Sequence, residues 1–284
     1  MIDLTSPATI REIIERHGFS FTKSLGQNFI ISRSTLDRML NASGIDRDTG
    51  VLEIGPGIGT LTRELAMRAA RVAAVEIDRA LIPVLAETLA DCPNAYVYHE
   101  DALKLQLPAF CQDALPCQKL AVCANLPYYI TTPAVTMLLE SKLFSSITLL
   151  LQREAVERLC ARPGEPGYCA VSAIVRYYAE PELLFRVPAD CFIPRPKVSS
   201  AVLSLLPTCK EISPAHEKLF LAVVRAAFSQ RRKTLQNTLS SAALCSREEA
   251  LYCIQACGFR DDIRGEMLSS KDFCHLTNVL LTLS

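Results

Sequence analysis

Residues 51–65 read VLEIGPGIGTLTREL: an apolar run, three glycines at alternate positions, then a helical pattern. Gly55, Gly57 and Gly59 let the backbone turn tightly and approach a ligand closely, at positions where a side chain would interfere. A strand that feeds a helix through so short a turn is half of a strand–helix–strand crossover. The rest of that rhythm follows. VLEIG (51–55), RVAAVEID (71–78), AYVYHED (95–101), KLAVCAN (119–125) and SSITLLLQ (145–152) read as strands, with helical patterns between the early ones. Pro83 falls inside the helix after Asp78, where it would remove an interior hydrogen bond, so that helix should begin with an irregular turn. Such β-α repetition implies an α/β fold, a parallel sheet covered by helices on both faces.

The flanks differ. Residues 8–18 predict a short helix with Ile10, Ile13 and Ile14 on one face and Gly18 at its end. Residues 19–33 are irregular and contain SLGQNFI, and a second helix over 34–43 takes Ser34 as its N-cap. AVSAIVRYYAEPELLFRVP is helix-like and then strand-like, and SSAVLSLLP (199–207) is a strand closed by proline; the two could close the sheet with a hairpin. After Pro207 the 3.6-residue period returns in HEKLFLAVVRAAF, RRKTLQNTLSSA, SREEALYCIQACGF and SKDFCHLTNVLLTL. This organisation predicts one domain over 1–207, with an N-terminal helical extension over 1–47, and a small all-α domain over 208–284.

Composition narrows the class. The chain of 284 residues is 50% hydrophobic with no net formal charge, which suits one large core plus a small one and argues against coating nucleic acid through an overall field. No uncharged apolar run reaches about 18 residues, the length of a spanning helix. The start, MIDLTSPATIREIIERHGF, has neither a basic region followed by an apolar core nor a transit-peptide pattern. The expectation is a soluble, cytoplasmic protein without a membrane partner. Its 12 cysteines are scattered through apolar segments, where they act as small hydrophobes and suit a reducing compartment. Cys253 and Cys257 could share a helix face, but no His or Cys at a suitable spacing completes a metal site, and no metal is expected.

The strand ends carry the chemistry. Glu76 lies 21 residues after Gly55, where nucleotide-binding sheets place a carboxylate to accept hydrogen bonds from ribose hydroxyls. Asp101 ends the next strand and could meet an adenine amino group. The loop alone allows a structural turn, a dinucleotide site or a mononucleoside site such as one for S-adenosylmethionine. Thr60 stands where the dinucleotide fingerprint has its third glycine, and the order of glycines, Glu and Asp favours a nucleoside. Glu53 either contacts the amino acid end of such a ligand or anchors the loop.

The fourth strand ends in NLPYYI (125–130). An aromatic amine is a poor nucleophile because its lone pair is delocalised into the ring. Two acceptors aimed at its N–H bonds, the Asn125 side-chain carbonyl and the Leu126 backbone carbonyl, would orient the nitrogen and favour the localised lone pair. Pro127 stiffens the turn and restricts Leu126 to extended geometry. Tyr128 offers a face for stacking a base, worth about 1–3 kcal/mol. Tyr129 is read as facing the core. The competing reading is a turn whose tyrosines cap the core.

SLGQNFI, VLEIGPGIGTLT, VEID, EDAL, NLPYYITTP, FIPRPKVSSAV and FSQRRKTLQNTL occur in that order, and together they span nearly the whole chain. In them the chain resembles the KsgA/RsmA family of small-subunit ribosomal RNA adenine dimethyltransferases. The resemblance implies a Rossmann-like class I methyltransferase sheet of seven strands, the last pair antiparallel, followed by a small helical domain. It implies S-adenosylmethionine as methyl donor, S-adenosylhomocysteine as product, and N6,N6-dimethylation of two adjacent adenosines near the 3′ end of small-subunit rRNA, within a pre-30S particle during ribosome biogenesis. Under it Asn28 and Ile30 cover the cofactor, and Gly55 and Gly57 line its amino acid part. Glu76 takes the ribose, Ile77 packs near the adenine, and Asp101 with Ala102 reads that ring. Asn125, also at the cofactor, holds the target base with Leu126 and Tyr128, and Phe192 stacks on its other face. Leucine is usual in the family where this chain has Ile30.

Two basic stretches, Arg195 with Lys197 in PRPK and Arg231, Arg232 and Lys233 on the helices leading into the small domain, are read as making phosphate contacts. The expected state is a monomer. The rival readings are a large-subunit rRNA adenine methyltransferase of the antibiotic-resistance type, and a non-catalytic assembly or transcription factor on the same fold. A DNA adenine methyltransferase fits less well, since no duplex-recognition domain is visible.

Overall fold

The structure is a computed structural model that describes residues 2–22, 25–208, 216–230 and 232–283. The chain opens with α1 (Pro7–Arg16), β1 (Phe29–Ile30) and α2 (Arg33–Ser43). The repeating part runs β2 (Thr49–Ile54), α3 (Thr60–Ala66), β3 (Arg71–Glu76), α4 (Ile82–Thr88), β4 (Ala95–His99), α5 (Leu107–Ala114), β5 (Lys119–Asn125), α6 (Thr131–Ser141) and β6 (Ser146–Gln152). Then come α7 (Arg153–Cys160), α8 (Ala170–Tyr178), β7 (Ala179–Val187), β8 (Phe192–Ile193) and β9 (Ser200–Pro207). The last helices are α9 (Glu217–Ala227), α10 (Leu235–Ser241), α11 (Arg247–Ala256) and α12 (Ser270–Leu281).

Seven strands form one sheet in the order β4-β3-β2-β5-β6-β9-β7. β4, β3, β2, β5 and β6 are parallel neighbours, and β9 runs antiparallel to β6. The α/β sheet expected from the repeat is therefore present, with the seven strands that the resemblance implies. β9 lies between β6 and β7, which is how the end of the chain's strand pattern closes the sheet. Successive side chains on a strand point to opposite faces. Val51, Val72, Cys123, Leu150 and Val202 share one core with Leu36, Met39 and Leu40 of α2 and Leu61 and Leu65 of α3. The intervening Leu52, Ala73, Val122, Leu149 and Leu203 are buried as well, so both faces are covered.

Two local expectations were sharpened. Pro83 is the second residue of α4, and Arg79–Leu81 form a short 3-10 turn before it, capped by the Asp78 side chain. Helix α2 starts one residue earlier than expected: Ser32, not Ser34, is the N-cap and accepts from the Thr35 backbone N–H. Ser34 lies inside the first turn, with its hydroxyl 3.2 Å from that of Ser32.

By its packing the chain divides into a unit of residues 1–156 with 181–207 and a unit of residues 157–180 with 208–284. The expected boundary at Pro207 thus misses one segment. Tyr177 stacks on Phe220 with centroids 4.1 Å apart, and the Tyr168 hydroxyl donates to the Leu268 carbonyl at 2.8 Å, so Glu157–Glu180 belongs with the later helices. Within the first unit α1 is not peripheral. Ile10 and Ile13 join Phe19, Phe29, Ile58, Leu81 and Leu85 in a second core, which brings residues 25–30 to the carboxyl edge of the sheet. No helix among the described residues is long and apolar enough to cross a membrane.

Candidate active site

The strand order reverses between β2 and β5, the place where open α/β sheets leave a crevice beyond their strand ends. The glycine loop follows β2 and NLPYY follows β5, so these two stretches flank the crevice. Between them opens a cavity of about 1040 Å³, its mouth included.

On one side stands the glycine loop. Gly55 (φ +72) and Gly57 (φ +60) adopt left-handed backbone that disfavours a side chain. A Cβ on Gly57 would also lie 2.8 Å from the Phe29 ring, and one on Gly55 would lie 3.1 Å from Pro127 Cδ. The loop is therefore packed against both the N-terminal segment and the NLPYY turn.

Glu76 ends β3 and is only 5% exposed. Its Oε1 accepts from the Asp78 N–H at 2.8 Å and its Oε2 from the Gly57 N–H at 3.4 Å. Burial outweighs these bonds and pushes its carboxyl up to about 7. Glu53, 1% exposed, lies behind the loop, and its Oε2 has no hydrogen-bond partner among the described residues. Desolvation drives its carboxyl up to about 8; the nearby Thr62 hydroxyl pulls the other way without forming a well-shaped bond, and the Glu76 charge adds to the rise. Of the two readings of Glu53, its place in the cavity wall and its unpaired oxygen favour a ligand-facing role.

Asp101 lies two residues beyond β4, not at its end. Its Oδ1 caps a short turn by accepting from the Leu103 N–H at 3.1 Å, and its Oδ2 lies 3.4 Å from Lys104 Nζ. Ala102 beside it is buried, whereas Ile77 is 44% exposed at the cavity's rim, an apolar side chain with one face free.

Across the crevice, Asn125 Nδ2 donates to the Asn28 carbonyl at 2.9 Å. That bond uses one of the amide's two N–H donors and leaves Oδ1 as the acceptor atom not engaged by Asn28. Leu126 lines the cavity, is 1% exposed and donates its N–H to the Leu150 carbonyl at 3.2 Å. The Tyr128 hydroxyl lies 2.8 Å from Ser200 Oγ, which anchors the ring in the wall; burial raises its phenol above the ordinary range.

Two expectations are corrected. Tyr129 does not face the core: it is 51% exposed and lines the cavity, its phenol shifted up by burial and by the charges of Asp101 and Glu76. Phe192 presents no stacking face in this structure. It is 2% exposed because alternation along β8, paired with β1, turns it into the core beside Ile30, Leu36, Val187 and Val202. Ile30 is likewise buried in that core and reaches the cavity wall beside Asn28.

Of the basic residues, Arg195, Lys197, Arg232 and Lys233 are exposed, while Arg231 lies outside the described residues. Arg232 and Lys233 sit in the turn between α9 and α10 rather than on a helix, because α9 ends at Ala227 and α10 begins at Leu235. Gln27, which sequence reasoning left without a role, lies in the wall and bonds Asp78.

The profile of the family described as Ribosomal RNA adenine dimethylase matches residues 18–281. A protein of Alkaliphilus oremlandii named Ribosomal RNA small subunit methyltransferase A is 42% identical over 98% of each chain. One of the same name from Geobacillus thermodenitrificans is 41% identical over 99% of this chain and 98% of its own. Among solved structures, a dimethyladenosine transferase from Plasmodium falciparum superposes with a TM-score of 0.70 at 25% identity, over 87% of this chain and 95% of its own. The 23S rRNA methyltransferase ErmE does so with a TM-score of 0.69 at 27% identity, over 89% of this chain and 99% of its own.

Proposed function

The chain belongs to the ribosomal RNA adenine dimethylase family, and from that premise we propose that its cavity takes S-adenosylmethionine against the ends of β2, β3 and β4 and one adenine against the turn after β5. The enzyme is an rRNA methyltransferase that dimethylates N6 of adenine in small-subunit rRNA. The finer assignment is two adjacent adenosines in a hairpin near the 3′ end, modified within a pre-30S particle. The observation that carries the reading is the position of Asn125, Leu126 and Tyr128 in the same cavity as Glu76, across the point where strand order reverses.

The residues fit the donor. Gly55 and Gly57 line the cavity without side chains, in left-handed backbone, so the loop can approach a ligand closely. The unpaired Glu53 Oε2 and the buried Glu76 favour a ligand that brings both positive charge and hydroxyl donors. When bound, S-adenosylmethionine supplies an already activated methyl group.

The chain's own work is therefore positioning. Glu76 accepts from the ribose hydroxyls, Ile77 packs on the adenine ring, and Asp101 with Ala102 reads its edge. Asn28 and Ile30 cover the donor. Asn125 Oδ1 and the Leu126 carbonyl accept the two N–H bonds of the target amine. Tyr128 stacks on the target base, which offsets part of the few kcal/mol, roughly, that base extrusion costs. No strong base is needed, because the amine becomes acidic once alkylated. Arg195, Lys197, Arg231, Arg232 and Lys233 are assigned to phosphates. Replacing Arg232 and Lys233 by alanine should lower the salt dependence of RNA binding by roughly one slope unit for each phosphate left without its cation.

The likeness to ErmE supports a large-subunit enzyme only weakly, since the full-length small-subunit relatives are more similar in sequence. Mass spectrometry of rRNA from a strain lacking the gene tests the assignment: the small-subunit dimethyladenosines should disappear. Their persistence would sink it, and methylation of naked large-subunit RNA in preference to pre-30S particles would support the rival.

A further inference from the structure

The amide that meets the target amine and the carboxylate that meets the ribose stand on different strands. One side chain of the N-terminal segment ties them together. Gln27 donates from Nε2 to Asp78 Oδ2 at 2.6 Å and accepts at Oε1 from the Thr22 N–H at 2.8 Å. Asp78 in turn donates its N–H to Glu76 Oε1 at 2.8 Å. The next residue, Asn28, accepts Asn125 Nδ2 on its carbonyl at 2.9 Å and tightens its own loop by donating its side-chain amide to the Gly26 carbonyl at 2.9 Å. Phe29 then enters β1, pairs with Ile193, and packs its ring over Gly57.

The Asn28 peptide is thus pinned on both sides, by Gln27 before it and by β1 after it. Its carbonyl is the partner that decides which way the Asn125 amide faces. A primary amide whose NH2 follows a displaced carbonyl swings its Oδ1 by the same rotation, away from the amine.

We propose that Gln27 is a positioning residue for methyl transfer: by holding the Asn28 backbone against Asp78, it sets the Asn125 amide in the orientation that accepts the target amine, and it links that orientation to the ribose side of the cavity. The proposal rests on the reading of Asn125 given above. Gln27 itself touches neither reacting atom; it acts through the Asn28 carbonyl.

A double-mutant cycle on the full-length chain tests it, with single-turnover methylation of pre-30S particles at saturating donor as the readout. Gln27→Leu should slow transfer on the order of 10- to 100-fold, the scale of a small misplacement, while the KM for RNA stays within a few-fold of wild type. In the Asn125→Ala background the same substitution should cost almost nothing, because the side chain it positions is gone. Gln27→Glu should be slow, with two carboxylates facing each other, and adding Asp78→Asn should restore much of the rate by reversing donor and acceptor. Additive losses in the cycle, or a wild-type rate for Gln27→Leu, would overturn the proposal. A wild-type rate for Asn125→Ala would instead overturn the reading of the target site, and the proposal with it. If Gln27→Leu melts early, the reversed Gln27→Glu, Asp78→Asn pair decides: failure to recover rate over Gln27→Glu counts against the link.

Discussion

The two walls of the cavity are built differently. On the donor wall the two glutamates, Glu53 and Glu76, are buried and desolvation raises both carboxyls, while Asp101 at the rim is half-buried. On the acceptor wall Asn125 and Tyr128 are half-buried and Tyr129 is exposed. A small cofactor can shed its water and be enclosed, so the groups that meet it can lie deep. A nucleotide attached to a large particle must enter through an open face, so the groups that meet it cannot. The difference separates binding from chemistry along the strand order, with β2 to β4 on one side and β5 on the other.

The comparison can be broken most directly at Asn125. Asn125→Ala should reduce single-turnover methylation by about 10²–10³, the usual cost of losing one aligned transition-state partner, while S-adenosylhomocysteine affinity by calorimetry moves little. Comparable losses in both would mean the two walls are not separable. Glu76→Gln should give the opposite split. Donor binding should weaken by roughly 10- to 100-fold, as expected for about 1.5–3 kcal/mol of charge-assisted bonding, with the rate at saturating donor largely kept. Gly57→Ala acts on the seam between the walls. Strained backbone and the Phe29 ring together should lower stability by about 1–3 kcal/mol, read as a fall in Tm, and Phe29→Leu should recover part of it.

Glu53 gives the donor wall a pH dependence of its own. Its folded value of about 8 against the ordinary 4.5 means that the folded chain holds a proton the unfolded chain releases. Its contribution to stability is therefore fully present below about pH 4.5 and lost as pH rises through about 8. Glu53→Gln should flatten the decline of Tm over that window, leaving a shallower decline that ends near pH 7 from Glu76. An unchanged profile would show that Glu53 is solvated and ionised in solution.

Much of this was legible in the sequence because parallel strands announce their own ends. Gly55, Glu76 and Asn125 are each fixed by the point where an apolar run stops, and a parallel sheet brings those points to one edge. Pro83 gave away an irregular helix start by its missing N–H. Features that depend on which way a side chain turns were harder to read. Phe192 and Tyr129 are both aromatics two residues from a proline, yet a two-residue ladder with β1 turns one inward, and a short turn before α6 leaves the other out. Ser32 and Ser34 offer equal hydroxyls, and only backbone geometry selects the cap. The segment 157–180 has the same helical and apolar signature as its neighbours, and nothing in that pattern says which core it joins.

The insertion of β9 between β6 and β7 has a consequence for synthesis. The chain is made from its N-terminus, and every strand that bears a site residue has emerged by Gln152, the end of β6. The outer edge of β6 stays unpaired until Ser200–Pro207 arrives to fill it. During that interval a nascent chain carries a nearly complete binding edge beside an open strand that can pair with any other extended segment. The late strand acts as a closing stave, and the time taken to translate about 50 residues, roughly 2.5–10 s at 5–20 residues per second, sets how long the sheet stands open.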